Sequence, residues 1–265
     1  MCLLSGGCYA QYVAAHASHC LRVPRKWSWT HAASVPEAWR TAFQLLSLVQ
    51  GESGANSAKS LLVHAGASGV GLAVIQLARH VFKYDVIFAM VGDERKENVV
   101  QEMGAIAINR HENVQFSQVI KNRTSGNGVA VVLDCVGGSA WKENAASLQQ
   151  DGHWVLFGLM GGAKITDDAD ILPVILRKRL KVQGTTLRTR SIEYKADLVS
   201  KFDAMCLPLF EQGSLKSFVD CEFEIAQIAH AHRHVEDNRN IGKVVVKVQN
   251  VDAGQQTSNR MNVDL

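Results

Sequence analysis

Short apolar runs alternate with amphipathic stretches through the middle of the sequence. The run Leu61–Val63 has no polar break, as expected of a strand buried on both faces of a sheet. Similar runs, each separated by a segment with helical spacing, occupy residues 85–90, 106–108, 129–133, 153–157 and 180–184. Strands that alternate with helices in this way predict an α/β fold, a doubly wound parallel sheet with helices on both faces.

The periodic segments between and after these strands predict helices. Pro36 stands at an early helical position and Glu37 in the first turn, so a helix is expected to begin there. In residues 1–35 the pattern is irregular, and short strands are expected only at 11–13 and 21–24. Further helices are predicted over residues 72–79, 95–103, 114–122, 141–149, 192–212 and 225–237, with a final strand over 243–248.

The pattern predicts four parts along the chain. Residues 1–35 cannot bury a core alone, whereas 36–190 contain the complete alternating unit. Residues 191–250 supply two helices and a last strand. Residues 251–265 are polar and patternless, which is typical of a disordered tail.

A turn of small residues follows the first buried strand. Gly66, Ser68, Gly69 and Gly71 fall within six positions, and a helical pattern starts directly after them. Glycines allow a pyrophosphate to approach the backbone, and the free amides at a helix start attract its charge. The turn reads G-x-S-G-x-G, so Ser68 replaces one glycine of the strict fingerprint. A strand, this turn and a helix together predict a dinucleotide site.

The charges after the second strand bear on which dinucleotide binds. An acid at the end of that strand is typical of NAD sites, and none is present at Met90 or Val91. Lys96 and Arg110 suit a ribose 2′-phosphate, which favours NADPH, while the carboxylate of Asp93 opposes it.

Composition excludes several classes of function. The net charge of +3 is too small to predict nucleic acid binding, and no apolar run reaches the roughly 20 residues of a membrane span. The first residues show no signal peptide, so a cytoplasmic protein is expected.

The cysteines and histidines predict no metal site. The six cysteines are scattered, which predicts reduced thiols; they are Cys2, Cys8, Cys20, Cys135, Cys206 and Cys221. His230 and His234 share a helix face, and a solvated helix is the favoured interpretation.

Five segments resemble the quinone oxidoreductase branch of the medium-chain dehydrogenase/reductase superfamily. They are residues 36–46, 64–71, 133–139, 154–162 and 240–245. Within that branch the chain is most similar to the zeta-crystallin-like, tumour-suppressor-inducible NADPH quinone oxidoreductases, over about residues 4–248. The resemblance implies a zinc-independent NADPH reductase of quinones or similar small electrophiles, which forms a homodimer.

The resemblance also implies cofactor contacts, residue by residue. Asp93 and Arg110 depart from the family pattern, which has a small hydroxyl residue and a tyrosine there, so phosphate selectivity stays open. The implied set comprises Thr41 near the nicotinamide; Ser68, Gly69 and Val70 at the pyrophosphate; Gly92, Lys96 and Arg110 around the adenosine; Cys135, Val136, Gly158, Leu159 and Met160 along the ribose and nicotinamide; and Leu187, Arg188, Asn240 and Lys243 closing the cleft.

Residues 1–35 resemble only the end of the GroES-like catalytic domain of that family. The active-site tyrosine and asparagine of the family have no counterpart here, so no catalytic residue is assigned. Three hypotheses follow: a quinone oxidoreductase, a nucleotide-binding or regulatory protein that has lost activity, and, disfavoured by the scattered cysteines, a zinc alcohol dehydrogenase.

Overall fold

Six strands form one sheet in which every neighbouring pair is parallel. The computed structural model describes residues 1–50, 59–112, 115–165 and 171–248. The order β3-β2-β1-β4-β5-β6 is that of a dinucleotide-binding fold. The strands are β1 (Ser60–Val63), β2 (Val86–Val91), β3 (Ile106–Asn109), β4 (Val129–Asp134), β5 (Leu148–Leu156) and β6 (Lys181–Gly184).

Helices cover both faces of the sheet, as predicted. The helices are α1 (Trp29–Ser34), α2 (Pro36–Leu48), α3 (Gly69–His80), α4 (Glu94–Glu102), α5 (Phe116–Arg123), α6 (Trp141–Ser147), α7 (Ile171–Lys178), α8 (Ile192–Glu211) and α9 (Ile228–Glu236). One core holds side chains of α2, α3, α4 and α8 against the sheet, and the second core holds those of α5, α6 and α7. Burial on both faces explains why the strands read as unbroken apolar runs.

A second, two-stranded sheet stands beside the first. It pairs β7 (Val219–Glu224) with β8 (Lys243–Lys247) in parallel, and the register shifts between Val219 and Cys221. Helices α1 and α9 pack against it. The segment that enters β8 also bridges to the main sheet's first turn, through Ser68 and Gly242.

Several sequence predictions are wrong in detail. Residues 11–13 form no strand, because Tyr12 is 87% exposed; residues 21–24 form none either, and only an isolated bridge joins Cys2 to Cys20. The helix predicted over 141–149 ends at Ser147, because Leu148 already pairs with β4. Helix α1 and strand β7 were not predicted from the sequence. The predicted tail at 251–265 lies outside the described residues, and the four-part division stays a prediction.

In the part of the chain that the structure describes, no helix is long and apolar enough to cross a membrane.

Candidate active site

The turn after β1 is packed too closely for side chains at two of its glycines. A Cβ atom on Gly71 would lie 2.4 Å from the carbonyl oxygens of Ala65 and Gly66. A Cβ atom on Gly66 would lie 2.7 Å from that of Ala89 on β2. Close helix-to-strand packing therefore requires glycine at both positions.

This packing aims the start of α3 at the carboxyl edge of the sheet. The Ser68 hydroxyl caps the helix by accepting a hydrogen bond from the Gly71 amide at 3.1 Å. The Ser68–Gly242 bridge points the Gly69 amide at the Gly242 carbonyl, whereas the Val70 amide has no backbone acceptor among the described residues. Amides at a helix start, with the helix dipole behind them, favour the binding of a pyrophosphate.

The segment before β8 closes over this turn. The Gly242 amide donates to the Ala67 carbonyl at 2.9 Å, and the Asn240 side chain donates to the Gly242 carbonyl at 2.8 Å. The Lys243 side chain runs over Gly69, where an added Cβ would come within 2.5 Å of its Cδ. Two of the predicted residues, Asn240 and Lys243, thus belong to the wall of the turn.

The end of β2 gathers several charges. The Asp93 carboxylate caps α4, accepting from the Lys96 amide at 2.9 Å. The Lys96 ammonium donates to the Asn238 carbonyl, and its side chain is only 5% exposed. This burial lowers the pKa of Lys96, although Asp93, 3.8 Å away, acts in the other direction. The positive charge of Lys96 is therefore largely engaged within the protein.

Arg110 supplies the second predicted charge. Its guanidinium lies beside Gly92, where an added Cβ would be 2.9 Å from Nη2. Arg110 is exposed, and its guanidinium has no hydrogen-bond partner among the described residues. Among the predicted phosphate-binding residues, Arg110 is consequently the better placed to meet an anion.

A buried carboxylate organises the end of β4. Asp134 is fully buried, and its Oδ1 accepts from the amides of Val136 and Gly137 at 2.6 and 3.0 Å. Its Oδ2 accepts from the Trp154 indole of β5 at 3.1 Å. Asp134 therefore shapes the loop that holds Cys135 and Val136.

The loops after β4 and β5 are joined by backbone hydrogen bonds. The Met160 amide donates to the Cys135 carbonyl at 2.9 Å, and the Gly161 amide to that of Val136 at 2.8 Å. Burial raises the pKa of the Cys135 thiol to about 11, so it is protonated at neutral pH and unsuited to act as a nucleophile. Leu159 and Met160 are exposed, at 51% and 79%. Their exposure leaves this edge of the sheet open to a ligand.

His64 directly follows β1. Its Nε2 lies 2.7 Å from the Asn144 amide oxygen, and its ring meets that of Phe116 edge to face. Burial lowers the pKa of His64, and the neighbouring Asp134 charge acts against that shift. A buried, neutral imidazole of this kind serves the packing of the sheet.

An open cleft of about 690 Å³ lies beyond the ends of β5 and β6, where ligands bind in such folds. Gly158 and Leu159, both predicted, line it. The polar side of this cleft was not predicted from the sequence. This polar wall consists of Thr185, Thr186, Thr189 and Arg190. The signal that could have revealed it is three threonines and an arginine directly after a strand.

Below this wall, Gln44 connects α2 to α8. Its amide donates to the Tyr194 hydroxyl at 3.1 Å and to the Thr185 hydroxyl at 3.4 Å. The Arg190 guanidinium lies 4.6 Å above the Tyr194 ring and donates to Thr185 at 3.1 Å. The network holds the polar wall in place.

The remaining predicted residues are placed less directly. Thr41 is half-buried on α2, one turn before Gln44. Leu187 is buried in the core and is not among the residues that line the cleft. Arg188 reaches toward Gly6, and its carbonyl accepts from the Lys195 ammonium at 2.9 Å.

The chain is similar to known oxidoreductases. Residues 69–203 match the family described as zinc-binding dehydrogenase. A highly reducing polyketide synthase of a Dothideomycetidae species is 29% identical over 94% of this chain, which spans 9% of that protein. The mouse quinone oxidoreductase-like protein 2 is 27% identical over 86% of this chain and 63% of its own length. The chain thus spans under a tenth of the first relative and about five eighths of the second.

Solved structures agree on the fold. An NAD-dependent alcohol dehydrogenase superposes with a TM-score of 0.77 at 25% identity, over 92% of this chain and 66% of its own. A mycobacterial protein solved with NADPH superposes with a TM-score of 0.75 at 25% identity, over 90% and 70%. The CurK enoyl reductase superposes with a TM-score of 0.72 at 25% identity, over 88% and 67%.

Proposed function

This chain belongs to the zinc-binding dehydrogenase family, within the medium-chain dehydrogenases and reductases, and from that premise we propose that it binds NADPH and reduces a quinone or similar electrophile. The observation that carries the proposal is the start of α3 with its unpaired Val70 amide, held at the carboxyl edge of the sheet by a turn without room for side chains at Gly66 and Gly71. A nicotinamide cofactor supplies a hydride when it is bound.

Phosphate selectivity depends on the charges after β2. The free guanidinium of Arg110 beside Gly92 supports NADPH, because a 2′-phosphate would bring two or three acceptor oxygens to it. Asp93 acts against this choice through its charge, although its carboxylate already caps α4 and faces Lys96. The similarity to the mycobacterial protein solved with NADPH supports the choice of NADPH, whereas the similarity to the NAD-dependent alcohol dehydrogenase favours NAD.

The polar wall fits an acceptor that becomes anionic when it takes a hydride. Thr185 and Arg190 present a hydroxyl and a guanidinium to the cleft, and these can stabilise negative charge on oxygen. A quinone accepts hydride in this way and yields a hydroquinone after protonation, as the name of the mouse relative suggests for that protein.

A second candidate substrate is an enoyl thioester. Polyketide synthases are among the most similar relatives, and an enoyl reductase superposes on this chain. Reduction of the conjugated double bond also develops charge on a carbonyl oxygen, so the same polar wall would serve.

We propose zinc-independent chemistry at this cleft. Among the described residues that line it, the polar groups are hydroxyls, a guanidinium and backbone carbonyls, rather than the thiolates and imidazoles that zinc prefers. A group that could hold a metal, Asp220, Cys221 and His234, lies instead on the two-stranded sheet. No hydride step is assigned to it.

The test is nucleotide binding followed by turnover on the same protein sample. We expect NADPH to bind, with fluorescence titration as the readout, and its absorbance to fall when 9,10-phenanthrenequinone is added. A crotonyl thioester in a parallel assay separates the two substrate classes. Binding without turnover on either substrate would favour the nucleotide-binding or regulatory hypothesis, and failure to bind NADPH or NADH would overturn the proposal.

Arg110→Gln tests the choice of nucleotide. The substitution removes the free charge beside Gly92, so NADPH should bind about 10–150-fold more weakly, since a hydrogen bond to a charged group contributes roughly 1.5–3 kcal/mol. NADH binding should stay unchanged. Arg123→Gln, at an exposed arginine on α5, is the matched control. An equal loss for both nucleotides would contradict the assignment of Arg110 to the 2′-phosphate.

We propose a homodimer that forms through the β6 edge of the sheet. Val182 on this edge strand is 49% exposed, and Leu172 and Leu176 of α7 are 72% and 78% exposed. An edge with unpaired backbone groups and apolar side chains is suited to pairing with a second copy. Val182→Lys should therefore shift the mass measured by light scattering to that of a monomer, whereas the same replacement at the exposed Val235 of α9 should not.

A further inference from the structure

Three potential metal ligands converge on the two-stranded sheet, away from the cleft. His234 Nε2 of α9 lies 2.7 Å from Asp220 Oδ2 of β7, and Cys221 follows Asp220 on the same strand. One ligand atom from each residue lies within 4.8 Å of the others. The side chains of His234 and Asp220 are partly buried, at 24% and 17% exposure.

The backbone of β7 is shaped to bring these side chains together. Successive side chains of a regular strand point to opposite faces, which would separate Asp220 from Cys221. The register of β7 against β8 shifts between Val219 and Cys221, so the strand is irregular at Asp220. Bulges of this kind redirect side chains and are common beside functional sites.

The chemistry of the group suits one metal in particular. Its nitrogen, oxygen and sulfur donors form a set that Zn²⁺ accepts, whereas Ca²⁺ and Mg²⁺ prefer oxygen alone. Donors on a tetrahedral zinc lie about 3.4–3.6 Å apart, so the hydrogen bond between His234 and Asp220 would open by less than about 1 Å. We infer that Asp220, Cys221 and His234 form a site for a single zinc ion, with the fourth position taken by water.

Zinc at this position would stabilise the contact of β7, α9 and the segment before β8, which meet beside the nucleotide turn. Asp220 Oδ1 also accepts from the Ile241 amide at 3.1 Å, and Gly242 follows with its hydrogen bond to Ala67. An ion held by β7 and α9 would therefore stiffen the segment that covers the turn. Its role is structural, because these ligands do not line the cleft.

The test is a titration of the metal-free full chain with zinc chloride. Calorimetry and competition with a chromogenic chelator measure the stoichiometry and the Kd. We expect one ion per chain. Cys221→Ser and His234→Gln should each weaken binding by at least about 100-fold, because even the loss of an outer-shell partner costs 10–100-fold. Cobalt chloride should give the near-ultraviolet thiolate absorption of a Co–S bond in the wild type and none in Cys221→Ser.

Two matched controls separate this site from other thiols and imidazoles. Cys8→Ser removes an exposed thiol, and His230→Gln changes an exposed histidine one turn earlier on α9. Both should bind zinc like the wild type. At zinc concentrations 100 times Kd, the Tm of the wild type should rise by about 5 °C, and that of Cys221→Ser should not rise.

The outcomes discriminate clearly. Absence of stoichiometric binding would overturn the inference, and so would unchanged affinity in Cys221→Ser and His234→Gln. If His234→Gln were poorly folded, as circular dichroism would show, the near-isosteric Cys221→Ser and its cobalt spectrum would decide alone. Neither readout depends on NADPH or turnover, so a failure here leaves the proposed function untouched.

Discussion

Gly71→Ala is expected to destabilise the protein by about 3 kcal/mol and to weaken nucleotide binding by about 10–100-fold. The added Cβ would lie 2.4 Å from two backbone carbonyl oxygens, and neither oxygen belongs to a side chain that can rotate away. Overpacking of this kind costs roughly 1–3 kcal/mol and occasionally more. The helix start must move to relieve the clash, and the amides of Gly69 and Val70 move with it. Losing one amide bond to a phosphate costs about 1.5–3 kcal/mol.

Gly184→Ala is the matched control for this experiment. Gly184 ends β6, its φ lies outside the left-handed region, and nothing comes within 4 Å of an added Cβ. The free energy of unfolding of the Gly184→Ala variant, measured in urea, should stay within about 0.5 kcal/mol of that of the wild type. If Gly71→Ala were as stable as Gly184→Ala and bound NADPH equally well, the close packing of the turn would not govern nucleotide binding.

Asp134→Ala should lower the free energy of unfolding by about 4 kcal/mol. The substitution strips three donors of their acceptor, namely the partly buried amide of Val136, the buried amide of Gly137 and the buried indole of Trp154. Each donor left unpaired costs roughly 1–3 kcal/mol. Asp134→Asn should cost less, because one oxygen can still serve the two amides while its NH₂ group faces the Trp154 donor.

The comparison variant is Asp151→Ala. Asp151 is exposed and pairs with the exposed Arg179 at 2.6 Å, and such surface ion pairs contribute at most about 1 kcal/mol. Urea denaturation of the two variants should therefore give clearly different midpoints with similar slopes. Equal midpoints would mean that the loop after β4 does not depend on the Asp134 carboxylate.

Most of the main sheet could be predicted because its strands are buried on both faces. Leu61–Val63 and Val129–Leu133 carry no polar residue, so their strand character is visible without knowledge of their neighbours. Leu148 could not be assigned in this way, because it begins β5 only through its pairing with Val129. Local sequence favours continuation of α6 there, and the sheet overrides it.

The site was predictable where backbone geometry determines it and less so where distant segments meet. The glycine turn is a local pattern, and its glycines are close-packed as their types suggest. Lys96 is turned toward Asn238, a partner that no nearby residue indicates. The ligands of the inferred zinc site were missed for a different reason: Asp220 and His234 lie 14 residues apart, on a strand and on a helix, and an irregularity of the strand aligns them.

The hydrogen bond between Gly242 and Ala67 has a consequence for the order in which the protein is built. Ala67 is made before most strands of the main sheet, whereas Gly242 emerges only after every one of them has been synthesised. The nascent sheet can form first, since its contacts arise domain by domain as the chain emerges. The segment before β8 can cover the nucleotide turn only later, because a contact of such long range must await closure of a loop that spans about two thirds of the chain. Competence to bind the cofactor would thus be acquired only after the main sheet has been synthesised.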